Sequence, residues 1–383
     1  MSMKQINKNT RRAKIYKRYL IVSIIIGSIM VFVTGKEYIE KNIPKELTAA
    51  YNSSKDYDSG INYEYDVKSA SAQINGSDTK IYACGMPVGL YLHTDGIMII
   101  DYAGFESIYG NKVTPLKNKV KKGDYIVKVN GKKVGSKQEV IDLVEKSNGE
   151  TIELTIKRND EEITEKVKPV KNKNGIYKIG LWVRDDTQGL GTITFVTSNG
   201  IFGALGHGIS DLDTGEMVTS FSGNLYYANI WGIKKGKIGE PGGFCGSIDY
   251  NEENKVGTIT KNCETGLFGN VDLNKIEVEK FKEVSVAKID EVKCGKAKIV
   301  IYKDGRYNEY DININRVRKR ANQNKNLVIE VVDKKLLSKT NGIIQGMSGA
   351  PIIQNDKLIG AVTHVLINDP HQGYGSLISN MIQ

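Results

Sequence analysis

Apolar and polar positions divide the chain into stretches with different periods. Residues 19–35 (YLIVSIIIGSIMVFVTG) form 17 positions without a charge. As a helix they would reach roughly 25 Å at about 1.5 Å per residue, just enough to cross the apolar part of a bilayer. Residues 36–78 are rich in Lys, Asn, Ser, Asp and Tyr with no sustained period, which marks a spacer. From Lys80 onward, apolar residues alternate in short runs cut by glycine and asparagine, which predicts strands.

Two kinds of β unit follow. Residues 120–132 read as a Gly123-Asp124 turn, an alternating strand and an Asn130-Gly131 turn into the next strand. Val140, Ile141, Leu143 and Val144 supply the apolar face of a helix, and residues 150–167 supply two further alternating strands. Beyond Tyr177, apolar runs at 179–183, 191–196, 201–205, 224–230, 284–289, 297–302, 327–332, 350–353 and 358–365 alternate with glycine-rich turns. That spacing suits a pair of Greek-key barrels, with a terminal turn at 376–382. The expected fold is mainly β. A basic tail (1–18), a transmembrane helix (19–35) and a spacer (36–78) precede an α+β domain (79–170) and a double β-barrel domain (176–383).

Composition narrows the function. At 383 residues, 40% hydrophobic and 26% charged, the chain has a globular balance and exceeds one ordinary domain. Its net charge of +10 resembles a nucleic-acid signal, but residues 1–18 hold seven Lys/Arg and no acid, leaving +3 for everything else. The basic excess is a tail beside the apolar run. It keeps that end cytoplasmic and sends the bulk of the chain, from Lys36, across the membrane. A cleaved signal peptide is the alternative, against which residues 33–35 make a poor cleavage site. No phosphate-cradling Gly-x-x-x-x-Gly-Lys-Ser/Thr tract is present. Cys84, Cys245, Cys263 and Cys294 lack zinc-site spacing and read as unpaired thiols. No nucleic acid, cofactor or metal is expected.

The candidate chemistry lies in two glycine-framed tracts. One is Phe202-Gly-Ala-Leu-Gly-His207-Gly; the other, with its serine 141 positions after that histidine, is Gln345-Gly-Met-Ser348-Gly-Ala-Pro351. A serine hydroxyl is a poor nucleophile at neutral pH unless an imidazole takes its proton, so His207 and Ser348 are the expected pair. Glycines at this turn permit positive φ and aim successive N–H groups into one concavity, so Gly346 and Ser348 are assigned to the oxyanion hole. Either tract alone is an ordinary glycine turn. Together, in this order, they resemble the chymotrypsin-like arrangement.

The tracts, residues 177–183 and above all residues 346–375 (GMSGAPIIQNDKLIGAVTHVLINDPHQGYG) resemble the stage IV sporulation protein B (SpoIVB) peptidases of endospore-forming bacteria. The likeness spans nearly the whole chain. It implies an anchor, a PDZ domain and a chymotrypsin-related serine peptidase domain. Among the aspartates between His207 and Ser348 it favours Asp333 as the triad acid; Asp213, close after His207 in the chain, is the second choice. Asp333 also stands where a carboxylate would cap a helix beginning at Lys334. Residues 81–92 resemble the strand and carboxylate-binding loop of a PDZ domain, with Gly85, Val88, Gly89 and Leu90 receiving a peptide terminus or a segment of the chain itself. Thr363 and His364, on the strand after the nucleophile, are expected to line the substrate pocket. Met347 cannot form the ion pair by which pancreatic-type zymogens organise their sites, so activation must work otherwise.

The resemblance further implies self-cleavage and cutting of the extracytoplasmic part of a membrane-bound sporulation regulator. That cut would trigger intramembrane proteolysis and a late sigma factor, in the space between forespore and mother-cell membranes. An HtrA-like envelope quality-control peptidase and a non-catalytic PDZ adaptor are the alternatives. HtrA enzymes carry the PDZ after the peptidase, and intact His207, Gly346, Ser348 and Gly349 oppose decay.

Overall fold

The computed structural model describes residues 80–159, 161–218, 222–319 and 324–382. The tail, the apolar run at 19–35 and the spacer lie outside the described residues. Among the described residues no helix is long and apolar enough to cross a membrane.

The longer strands of the first half are β1 (Ile81–Ala83), β2 (Pro87–Tyr102), β3 (Tyr125–Val129), β4 (Ile152–Arg158), β5 (Glu161–Val167), β6 (Leu181–Thr197), β7 (Ile201–Ala204), β8 (Ser222–Lys234) and β9 (Gly243–Ile248). Those of the second half are β10 (Lys255–Cys263), β11 (Gly266–Val271), β12 (Lys282–Val286), β13 (Gly295–Lys303), β14 (Arg306–Val317), β15 (Leu327–Val331), β16 (Pro351–Gln354), β17 (Lys357–Leu366) and β18 (Asp369–Leu377). Helices are α1 (Lys137–Lys146), α2 (Lys334–Thr340) and α3 (Ile378–Met381).

Pairing closes these strands into two antiparallel barrels. In the first, β2, β6, β7, β11, β10 and β8 pair in that order, and β8 returns to β2. In the second, β13, β14, β15, β18, β17 and β16 form the ring, and β16 returns to β13. Closure leaves no edge within either ring, so every second side chain can be driven inward. Val88, Leu90, Ile193, Phe202, Leu225 and Leu267 fill the first barrel, and Ile299, Ile312, Ile329, Met347, Ile352 and Val362 fill the second. A further cluster draws Ile81, Phe195 and Phe268 from one side and Val300, Ile353 and Ile378 from the other, sealing the two together.

A third core belongs to the module expected to be PDZ-like. Ile97, Ile99, Ile126, Val129, Leu154 and Ile156 from β2, β3 and β4 pack on Val140 and Val144 of α1. The helix starts where the sequence permits it. Ser136 caps it by accepting the Glu139 N–H at 3.2 Å, a donor the first turn leaves over, and the Glu139 carboxylate reaches back to accept the Gly135 N–H just before the cap at 2.7 Å. The Asn130-Gly131 turn has φ of 50° and 77°, the left-handed pair a tight hairpin demands.

The linear boundary between the two expected domains is crossed twice. Residues 81–92 belong to the first barrel. β1 pairs with β6 and β12, the Gly85 N–H donates to the Ile193 carbonyl at 2.9 Å, and the Gly85 carbonyl accepts the Tyr302 N–H at 2.8 Å. Val88, Gly89 and Leu90 sit between β6 and β8, so both edges of their strand are filled. Val88 and Leu90 are buried, and a Cβ on Gly89 would lie 2.4 Å from Ile248 Cγ2. The expectation that Gly85, Val88, Gly89 and Leu90 receive a peptide is therefore corrected: an apolar alternation ending in glycine fits a barrel strand as well as a peptide loop. In exchange, the start of β6 leaves the barrel side and pairs with residues 98–102 of β2, bringing Leu181 and Val183 against the core of the α+β module.

Candidate active site

His207 reaches the junction of the barrels through a turn at the end of β7. Leu205 and Gly206 take φ of 69° and 71°, which reverses the chain. At Gly206 a Cβ would meet Thr363 Cγ2 at 3.1 Å and Ala361 Cβ at 3.2 Å, so glycine lets the turn lie against β17 of the other barrel. The His207 Nδ1 lies 2.8 Å from the Gly208 carbonyl. That acceptor calls for Nδ1–H and leaves Nε2 bare, the tautomer a general base needs. Burial pushes the His207 pKa below the ordinary histidine value, with the Gly208 hydrogen bond opposing it.

Ser348 stands in the turn before β16. Gly349, at φ 98°, would place a Cβ 1.9 Å from the Thr192 carbonyl oxygen, so no side chain fits there. The N–H groups of this turn are unevenly used. Met347 donates to Ile344, Gly349 to Val362 and Ala350 to Met347, whereas the N–H groups of Gly346 and Ser348 have no acceptor among the described residues. Two unsatisfied donors flanking a serine are what an oxyanion hole requires. The Ser348 Oγ donates to the Thr363 carbonyl at 2.5 Å.

Thr192 of β6, which the sequence pattern did not single out, ties the two tracts together. Its N–H donates to the Ser348 carbonyl at 2.8 Å, its Oγ1 donates to the Gly346 carbonyl at 2.7 Å, and its own carbonyl accepts the Leu205 N–H at 3.2 Å. Thr192 is 2% exposed, so these bonds are dry.

The expected acid is placed elsewhere. Asp333 is the N-cap of α2: its carboxylate accepts the Leu336 N–H at 2.8 Å and the Asp311 N–H at 3.4 Å. The second choice, Asp213, pairs with Arg184 at 2.7 Å, and Asp211 is buried against the same guanidinium. The position on the His207 ring where a triad carboxylate would sit is taken by the Gly208 carbonyl. Thr363 is corrected as a pocket wall as well, because it is buried and its Oγ1 donates to the Asn324 carbonyl at 2.8 Å. His364 lies beside His207, with ring centroids 4.7 Å apart and planes at 35°. The other side of the turn explains Met347: it is 1% exposed in the second barrel core, a packing residue where zymogens carry an aspartate.

Two closed six-stranded barrels with a glycine-framed serine on one and a histidine on the other define a double-barrel serine peptidase, here carrying a PDZ module between the barrel parts of β2 and β6. The family model for SpoIVB peptidase S55 matches residues 175–382, more than half of the chain, and the chain belongs to that family. A PDZ domain model matches residues 88–168. Among solved structures, the PDZ domain of the SdrC-like protein from Listeria monocytogenes is 24% identical over 23% of this chain and 87% of that one, with a TM-score of 0.19, a likeness too slight to carry an argument.

Proposed function

We propose that the chain is a membrane-anchored serine endopeptidase of sporulation signalling, with Ser348 as nucleophile and His207 as general base. Nε2 of His207 takes the Ser348 proton as Oγ turns from the Thr363 carbonyl to attack the scissile carbonyl. The N–H groups of Gly346 and Ser348 receive the oxyanion, and the imidazolium then protonates the leaving amine. Water repeats the cycle on the acyl-enzyme. The observation that carries this reading is the pair of unsatisfied N–H groups beside a serine whose carbonyl is locked by Thr192.

Family membership and the apolar run at 19–35 support the finer assignment. The enzyme cuts itself and then the extracytoplasmic region of a membrane-bound sporulation regulator, in the space between forespore and mother-cell membranes, triggering intramembrane proteolysis and late sigma factor activation.

The PDZ module selects partners by peptide addition, and the place for it is the edge of β6 at residues 181–186. One edge of that segment pairs with β2, and the other pairs with no strand among the described residues. Val140 and Val144 of α1 share a cluster with Leu181 and Val183, and Lys137 at the start of α1 bonds Asp185 through its N–H at 2.8 Å. An open strand edge beside a helix with an apolar floor is the geometry that accepts an added strand, from a partner's terminus or from a segment of the chain itself.

Self-cleavage tests the proposal. The full-length wild type and Ser348→Ala are incubated in parallel and their fragments mapped by mass spectrometry. Fragments confined to the wild type support the reading; identical patterns contradict it.

A further inference from the structure

Residues 316–325 (RVRKRANQNK), which lead from the end of β14 to the start of β15, hold five Lys or Arg and no acid. Everything beyond the basic tail nets only +3, so this stretch departs from the average surface of the protein.

Its base is clamped beside the nucleophile. The Arg318 N–H donates to the Asn326 carbonyl at 2.7 Å, and the Asn326 Nδ2 donates to the Arg318 carbonyl at 3.1 Å. Asn326 is 1% exposed, and its Oδ1 accepts the Asn380 Nδ2 at 2.8 Å, so the clamp is tied into the second barrel. One step further up, the Asn324 carbonyl accepts the Thr363 Oγ1 at 2.8 Å, and the Thr363 carbonyl accepts the Ser348 Oγ at 2.5 Å. Lys325 extends the connection to the histidine. Its Nζ lies 5.4 Å from the ring centroid of Tyr374, the cross-strand neighbour of His364, and the His364 ring is 4.7 Å from that of His207. The cations therefore stand at the rim of the active site.

These charges are scarcely neutralised. Arg316, Arg318, Lys319 and Lys325 are all exposed. Lys319 meets Asp290 at 3.4 Å, a pair whose aspartate is 91% exposed and which contributes little. Arg316, Arg318 and Lys325 pair with no carboxylate among the described residues. Like charges gathered in one hairpin repel one another, and an incoming acidic chain relieves that repulsion.

The sequence supplies the matching charge. Residues 56–66 (DYDSGINYEYD) carry Asp56, Asp58, Glu64 and Asp66 and no Lys or Arg. They belong to the spacer between the apolar run and the β domains, so a cut in or beside them separates the peptidase from its anchor.

We propose that the basic hairpin, through Arg316, Arg318, Lys319 and Lys325, receives the acidic segment 56–66 of a second copy of the chain during self-cleavage, and so selects the spacer as substrate. This role rests on the reading of Ser348 as the nucleophile. Charges on the rim of an interface act mainly on encounter and register, so the hairpin brings the acidic chain to the cleft and the chemistry stays with Ser348 and His207.

Cutting between copies is the test. Full-length wild type is mixed with full-length Ser348→Ala grown on heavy nitrogen, and the heavy fragments are timed by mass spectrometry. An enzyme carrying Arg316→Glu, Arg318→Glu and Lys319→Glu is expected to cut the heavy chain about 10-fold more slowly, the scale of electrostatic steering at a charged rim. Reversing the segment in the heavy chain (Asp56→Lys, Asp58→Lys, Glu64→Lys and Asp66→Lys) should slow the wild-type enzyme similarly and restore cutting by the reversed enzyme to within about 3-fold of the native pair. A reversed hairpin that cuts the native segment at the wild-type rate would overturn the proposal, as would one that stays slow against both segments. Fluorophosphonate labelling separates the two readings. A wild type that neither labels at Ser348 nor cuts the heavy chain fails the nucleophile assignment, and the role of the hairpin falls with it; normal labelling and cutting that ignore charge reversal fail the hairpin alone.

Discussion

The N–H of Thr192 holds the Ser348 carbonyl at 2.8 Å, and the Thr192 carbonyl holds the Leu205 N–H at 3.2 Å, so one residue of the first barrel sets the spacing between the serine turn and the histidine turn. That residue lies in the 17-residue strand β6, whose opening segment forms the wall of the PDZ module. A change at the module therefore has a direct backbone route to the nucleophile.

Thr192→Val keeps the shape and removes the Oγ1 bond to Gly346. A buried carbonyl deprived of its donor costs about 1–3 kcal/mol. The expected outcome is a lowered thermal midpoint and slower fluorophosphonate labelling, read by calorimetry and gel. Wild-type values for both would show that the threonine hydroxyl does not hold the turn.

Asp333→Ala removes the cap of α2 and is expected to cost about 0.5–2 kcal/mol in denaturant unfolding, whereas Asp333→Asn, which also caps, should cost little. Serine labelling in Asp333→Asn should stay close to wild type. Loss of labelling with the fold intact would restore Asp333 to the triad.

Gly349→Ala forces a Cβ to within 1.9 Å of the Thr192 carbonyl oxygen, a distance no rotamer relieves. The expected result is loss of serine labelling with the turn displaced. Full labelling would mean that the turn and β6 can separate without consequence.

Peptide binding should slow hydrogen exchange at residues 181–186 and leave residues 85–90 unchanged, because the latter already sit within closed ladders. Free-acid peptides selected from a random C-terminal library supply the ligand. Protection at 85–90 instead would return the peptide site to the loop first read from the sequence.

The pH dependence follows from His207. Its pKa is lowered by burial, so the neutral base persists below the ordinary histidine value of 6.5. Labelling should hold as pH falls through 6.5 and decline only at lower pH. The same depression means that the unfolded chain binds the proton more readily, so stability is fully present above 6.5 and is lost as pH falls below it. An acid limb centred above 6.5 in the folded protein would contradict this burial.

How much of this was legible in the sequence depends on how each residue announces itself. Compact apolar runs such as 327–332 and 358–365 match β15 and β17 closely, because strands with few polar positions carry a strong signal. β14 (RYNEYDININRV) was missed: its inward positions Tyr310, Ile312 and Ile314 alternate with polar outward ones, and the strand reads as hydrophilic. β6 was expected as two strands, 179–183 and 191–196, because its middle, Arg184-Asp185-Asp186-Thr187-Gln188-Gly189, is polar; that middle pairs with β2 on one edge only. Glycine framing announced His207 and Ser348. Nothing local distinguishes an aspartate that caps a helix from one that supports a histidine, and Thr192 acts through its backbone N–H and carbonyl, which every residue carries, and through one hydroxyl bond that any buried threonine could make. Its role needed the register of β6 against the serine turn.

The most direct measurement is a fluorophosphonate reaction with the full-length wild type, Ser348→Ala and His207→Gln, followed by mapping of the modified peptide. The account predicts one adduct, on Ser348, in the wild type, none in Ser348→Ala and a strongly slowed reaction in His207→Gln. An adduct on another residue, or equal labelling in all three proteins, would contradict it.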